Sequence, residues 1–299
     1  MSKADVSIVI ATKNRSRDLQ RALNSAISQN GEPEIIVIDD GSDDDTQEVL
    51  KQFPTVRVIR HETSAGCVAR RNEGARLARS SFILSIDDDA ELSDPNIALQ
   101  VQKAFSNERI GAVAIPCIEP LKENRLFQIS PDLEHSYVID SFMGTAYAAR
   151  RDIFNELGGF RESIVGQGEE RDYCIRLMNR GFLIGIADAE HIIHYESPIR
   201  NWSKQGYRGR RNHVLFAVHN APASVAAVHV LATTFNGLVY AARVGPRWPM
   251  IKGLLDGWLG IPRALRERHA CRKAVYRLSR RLRKSGPMRI QAAEQIVSG

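Results

Sequence analysis

The sequence predicts an α/β protein with a mainly parallel central sheet flanked by helices and a helical C-terminal extension. Two observations carry this. Short apolar runs, VSIVIA at 6–11, IIVI at 35–38 and FILSI at 82–86, alternate with segments of helical periodicity. Each run also ends abruptly in polar residues: Thr12, then Asp39 and Asp40, then Asp87, Asp88 and Asp89. Near-uniformly apolar strands are typical of parallel sheets covered on both faces, and such sheets bind ligands beyond the carboxyl ends of their strands. The polar residues, widely separated in sequence, are therefore expected to line one crevice.

The elements follow in order. After the first strand, Leu19, Ala22, Leu23, Ala26 and Ile27 mark a helix. The run at 35–38 is the second strand, 46–53 a second helix, 56–59 a third strand, 69–78 a third helix and 82–86 a fourth strand. Beyond Pro95 a helix at 97–105 and a strand at 111–115 continue the sheet. Periodicity lapses over 117–136, as in a loop or excursion, and resumes with a strand at 144–149 and a helix at 151–157 that stops at Gly158 and Gly159. A helix opens near Glu169 and ends at Gly181, followed by short strands at 182–187 and 189–195, the second carrying His191 and His194. Residues 201–213 read as a helix dense in Arg208, Arg210 and Arg211, able to lie against a pyrophosphate or to face solvent.

Two stretches carry chemistry. A buried strand cannot hold three carboxylates, so Asp87, Asp88 and Asp89 belong on a rim, where they suit a divalent cation or facing positive side chains. The alternative is the start of a polar loop with a helix N-cap near Ser93 or Asp94. In GQGEERD at 166–172 the acids fall in the first turn of a helix, where the dipole favours the ionised form. They either stabilise the helix or supply a carboxylate that stays ionised near neutral pH and takes a proton from a hydroxyl. Neither GxGxxG nor GxxxxGK[ST] occurs, so phosphates must be held another way, with a metal on the aspartates and Arg70 or Arg71 as the economical candidates.

The 299 residues suffice for one large domain or two smaller ones. Their net charge of +6 is unevenly spread: from Arg243 onward 14 Lys/Arg face 3 Asp/Glu, leaving −5 on residues 1–242. The tail interleaves bases with Trp248, Leu254, Leu255, Trp258 and Leu259 at helical spacing, which suits an interfacial helix on an anionic membrane. A nucleic-acid surface would need similar charge but also a reading element, and none is recognisable. Four scattered cysteines and an N-terminus without signal-peptide architecture lead us to expect a reduced, cytoplasmic protein, with 221–242 the nearest candidate for a membrane span.

Together VSIVIATKNR, IIVIDDGSDDDT, AGCVARRNEGARLA, FILSIDDDAELSDP, GTAYAARRDIFNELGGF and GEERDYCIRLMNRGF resemble the family 2 glycosyltransferases, inverting enzymes of the GT-A fold. The likeness covers most of residues 5–195 and is vague in the tail. It implies a nucleotide-sugar and metal half at 1–115, an acceptor half at 116–220 and a basic tail at 221–299. Thr12, Asp39 and Asp40 fall at the positions that cradle the base and ribose, and Asn14, Arg15, Arg71, Asp87 and Asp88 complete the implied nucleotide-sugar contacts. Asp87 and Asp89 form the implied DxD element for Mg2+ or Mn2+, with His194 as a further metal ligand.

Glu170 falls at the implied catalytic base, where Asp is commoner, and Asp172 competes for that role. Processive relatives carry QxxRW, whereas here Gln205 and Arg208 are followed by Gly209, which favours single-sugar addition. The implied donor is a nucleoside-diphosphate sugar and the implied acceptor a glycan or lipid-linked molecule. A nucleotidyltransferase and an inactive nucleotide-sugar-binding scaffold are the alternatives.

Overall fold

A computed structural model describes residues 3–196, 201–244 and 247–297. The chain runs β1 (Val6–Thr12), α1 (Ser16–Ile27), β2 (Glu34–Asp39), α2 (Thr46–Lys51), β3 (Arg57–Arg60), α3 (Cys67–Leu77), β4 (Phe82–Asp87) and β5 (Ala90–Leu92). It continues through α4 (Ile97–Lys103), β6 (Ile110–Ala114), β7 (Cys117–Glu119), β8 (Arg125–Phe127), β9 (Tyr137–Val138), β10 (Ala146–Arg150), α5 (Arg151–Glu156) and α6 (Glu169–Asn179). The remainder is β11 (Leu183–Ile186), β12 (Ile192–His194), α7 (Trp202–Asn220), α8 (Ala223–Arg243), α9 (Arg247–Leu259), α10 (Ile261–Arg266), α11 (Lys273–Ser285), β13 (Met288–Arg289) and α12 (Ile290–Val297).

Among the described residues the main sheet has nine strands in the order β13-β9-β11-β6-β10-β4-β1-β2-β3. β3, β2, β1 and β4 are parallel; the apolar β2, β1 and β4 are covered from both faces, whereas β3, at the edge of the sheet, is half-exposed. β10 enters antiparallel between β4 and β6. α3 packs closely on β1 because Gly74 has no side chain: a Cβ there would lie 2.3 Å from Val9 Cγ1. The stretch 117–136 is more ordered than its composition predicts, since β7 and β8 join β5 and β12 in a second sheet of four strands. These strands are three residues each, too short to display a period.

The C-terminal stretch divides in two. α7 to α10 share a small apolar cluster through Val214, Val218, Val230, Leu254 and Ala264. α11 and α12 instead return to the main core through Val275, Leu278, Leu282, Ile290 and Ala293, and β13 extends the main sheet by pairing with β9. Part of the expected 221–299 tail thus belongs to the body; positions 245, 246, 298 and 299 lie outside the described residues. α8 is long and apolar enough to cross a membrane, and little of it is buried.

Candidate active site

Strand register builds the crevice. Thr12 pairs with Asp39 and Ala11 with Asp87, so the polar ends of β1, β2 and β4 come side by side at one edge. The cavity there, about 440 Å³, is lined by Thr12, Arg15, Arg71, the aspartates 87–89 and His194. Asp88 accepts from Thr12 Oγ1 (2.8 Å) and Arg15 Nη1 (3.2 Å), and the same guanidinium bonds Asp89. Burial pushes the Asp88 carboxyl up to about 7. Burial opposes the charge of Asp89 too, but His194 and Arg15 outweigh it and hold this carboxyl below its ordinary value.

One donor atom each from Asp87, Asp89 and His194 lie within 4.8 Å of one another. His194 Nε2 is 3.4 Å from Asp89 Oδ1, and its Nδ1 is 3.2 Å from Glu119 Oε1. A carboxylate behind a histidine fixes the ring's orientation and raises its basicity. Glu119 is itself paired with Lys122 at 2.5 Å. Two carboxylates and an imidazole suit a hard or borderline divalent cation, and the Arg15 guanidinium on Asp89 shows that the cluster accommodates positive charge. Mg2+ or Mn2+ fits this donor set. Glu119 was not foreseen from sequence, because it ends a strand inside the aperiodic stretch.

The other expected nucleotide contacts differ in placement. Asp40 lines the crevice, but both its oxygens are engaged: Ser64 Oγ, the Ala65 and Gly66 amides and Arg70 Nε donate to it. Its carboxylate thereby anchors the start of α3. Asn14 ties two loops together, its amide donating to Ser42 Oγ (3.0 Å) and its Oδ1 accepting from the Asp43 amide (2.8 Å). The side chain of Asn14 is therefore committed to the loop junction. Asp39 is fully buried; Oδ1 accepts from the Ser42 amide, while Oδ2 has no hydrogen-bond partner among the described residues and lies 3.7 Å from Arg60 Nε.

Arg71 links this crevice to a second one of about 740 Å³. The two cavities share Arg71, Asp87 and His194, and the second also holds Glu169 and Glu170. The Arg71 guanidinium bonds Asp87. Gly144 lies against both groups: a Cβ there would be 2.5 Å from Glu170 Oε1 and 2.9 Å from Arg71 Nη1. Burial and the neighbouring Glu169 push the Glu170 carboxyl up to about 8. This corrects the expectation of a carboxylate held ionised by the helix dipole: α6 supplies its N-terminus, but desolvation and like charge prevail. Glu169 is buried with Oε1 on the Gly166 amide (3.2 Å).

Asp172 lies elsewhere. It is fully buried and bonded by Arg161 Nε (3.1 Å), Arg176 Nε (2.9 Å) and Asn220 Nδ2 (2.7 Å), a cross-brace between α6 and α7. A carboxylate so saturated is poorly placed to act as a base, which corrects the reading of Asp172 as a competitor.

A mainly parallel sheet interrupted by one antiparallel strand, with an acidic crevice at its carboxyl edge that meets a second cavity at Arg71 and Asp87, defines a GT-A protein. The chain belongs to glycosyl transferase family 2, whose sequence profile matches residues 7–158. It is 30% identical over 112 residues to a poly-beta-1,6-N-acetyl-D-glucosamine synthase of Staphylococcus epidermidis, covering 36% of this chain and 27% of that protein. It is 28% identical over 193 residues to the beta-monoglucosyldiacylglycerol synthase of Trichormus variabilis, covering 58% and 41%. The matches thus span well under half the length of these curated relatives. In structure it resembles the mannosyltransferase PcManGT of Pyrobaculum calidifontis, solved with GDP-Man and Mn2+, at a TM-score of 0.58 and 16% identity over all of this chain and 87% of that one.

Proposed function

We propose that the protein is a metal-dependent, inverting glycosyltransferase that moves a sugar from a nucleoside-diphosphate sugar to an acceptor hydroxyl, in synthesis of a polysaccharide or lipid-linked glycan of the cell envelope. The observation that carries this reading is the meeting of two cavities at Asp87 and Arg71, one bearing the Asp87, Asp89 and His194 cluster and the other Glu170. Residues 1–115 supply the donor half and 116–220 the acceptor half. Mg2+ or Mn2+ held by Asp87, Asp89 and His194 would supply Lewis-acid stabilisation of the charge that develops on the leaving diphosphate.

The chain's own groups do the rest. Glu119 orients His194, and Arg71 offers a second positive charge beside Asp87. Thr12, Arg15 and Asp88 line the nucleotide end, and Asp39, buried at the adjoining end of β2, offers a carboxylate oxygen as an acceptor for a base N–H. Ionised Glu170 removes the proton of the acceptor hydroxyl. That oxygen bonds the anomeric carbon from the face opposite the diphosphate, the anomeric bond to the diphosphate breaks, and the electron pair leaves with it, so configuration inverts.

The exposed apolar side chains Leu231 and Phe235 of α8 and Trp248 and Leu259 of α9, in a C-terminal stretch that also carries the basic α11, support peripheral contact with an anionic membrane on its cytoplasmic face.

Incubation with a panel of nucleotide sugars and Mn2+ tests the reading: the expected small product is a nucleoside diphosphate. Release of pyrophosphate from nucleoside triphosphates would instead identify a nucleotidyltransferase. Nucleotide-sugar binding without turnover on any acceptor would mark an inactive scaffold.

A further inference from the structure

Outside the crevices, α6, α7, α8 and α11 enclose a hollow of about 580 Å³ lined by Arg171, Arg280, Arg281, Arg283 and Lys284, with His213 and His229. Among the described residues none of these five cations has a carboxylate within ion-pair distance. Asp140, whose field reaches Arg171 and Arg283, is the acid opposing them. The Arg171 Nε is buried with no hydrogen-bond partner among the described residues, and its guanidinium lies 4.1 Å over the Phe216 ring, which fixes it in place. Burial and these arginines push both histidines down to about 4, so they are neutral near pH 7 and add no charge of their own.

Five unpaired cations around one hollow repel each other, and most charged groups in folded proteins are arranged to avoid this. Guanidinium forks arriving from different elements match the several oxygens of a phosphoryl group. The hollow also has a direction. A smaller cavity of about 260 Å³ is lined by Glu170 together with Arg171, His213 and Arg283, which also line the hollow, so it adjoins both the base and the basic hollow. Beyond the hollow a groove between α8 and α11 is lined by Val225, Val228 and Ala232.

We propose that the hollow is a phosphoryl subsite that holds a phosphate or phosphodiester group of the acceptor while the acceptor's hydroxyl reaches Glu170. This rests on the glycosyltransferase reading and narrows its acceptor to a phosphorylated molecule, either a lipid headgroup or a soluble phosphoester.

The test is isothermal titration of the full chain, in EDTA, with inorganic pyrophosphate and with dihexanoylphosphatidic acid below its micellar concentration. The wild type is compared with Arg280→Glu/Arg283→Glu and with a charge-matched control, Lys103→Glu/Arg109→Glu, on exposed positions elsewhere. The wild type is expected to bind, the first variant to lose roughly tenfold or more in affinity and the control to stay within about twofold. Tighter binding of the lipid assigns the phosphate to a headgroup, and parity assigns it to a soluble phosphoester.

No binding by the wild type, or equal losses in both variants, overturns the subsite. A Mn2+-dependent thermal shift with nucleotide, measured on the same proteins, separates the two readings. If it persists without phosphate binding, only the subsite falls. If it is absent while phosphate binding and its selective loss remain, the donor reading falls and the basic hollow stands as a phosphate site.

Discussion

Glu170 sits at the wall of its cavity beside a second carboxylate, and both desolvation and like charge favour its protonated form. A base must be ionised to act, so kcat/KM should climb with pH to a limb near about 8, well above the ordinary glutamate value of about 4.3. Glu170→Gln should lower kcat by about 10²–10⁴ and abolish that limb, with nucleotide binding unchanged. A full-rate variant would remove Glu170 from the mechanism. Stability gives an independent sign. A carboxyl whose pKa is raised by folding binds more protons in the native state, so its contribution is fully present below its unfolded value and is lost as pH rises towards the folded one. Glu170→Gln should therefore raise Tm relative to wild type at pH 8 and do so much less at pH 5, measured by calorimetry. Asp172→Asn strands Arg161 and Arg176 in a largely buried setting and should cost about 3 kcal/mol in a denaturant melt, whatever remains of the folded population keeping its pH limb.

At the level of elements, the packing of α11 separates core from surface within one basic stretch. Leu278→Ala, in the main core, should cost about 2–5 kcal/mol, whereas Leu259→Ala, 78% exposed on α9, should stay within about 0.5 kcal/mol. Equal costs in chemical denaturation would mean that α11 does not belong to the body. This division was not legible in the sequence, because alternating basic and apolar residues describe an amphipathic helix equally well on protein and on lipid. What was legible follows from local period and strand ends. The apolar runs at β1, β2 and β4 announced a parallel sheet, and their polar termini announced one crevice containing Thr12, Asp87, Asp88 and Asp89. What was hidden depends on partners distant in sequence. Arg161 and Asn220 claim Asp172 from 11 and 48 residues away, Glu119 stands 75 residues from His194, and Arg15 folds back 74 residues onto Asp89. No periodicity encodes such pairings. The three-residue strands of the second sheet are likewise too short to leave a pattern.

For the whole molecule, the acidic crevice with its candidate metal cluster meets the Glu170 cavity at Arg71 and Asp87, and the proposed function gives nucleotide to the first and acceptor to the second. The donor half can be tested without knowing the acceptor. Ligand binding stabilises the native state by RT ln(1 + [L]/Kd), about 2.7 kcal/mol at a hundredfold excess over Kd, which in a chain of this size moves Tm by several degrees. The deciding measurement is a thermal-shift series with UDP, GDP, dTDP and CDP, each with and without Mn2+ or Mg2+, on the wild type and on Asp89→Asn. At least one nucleotide should give a shift that requires the metal and disappears in Asp89→Asn. A shift independent of metal, one that survives in Asp89→Asn, or none from folded protein with any nucleotide would contradict the proposed function.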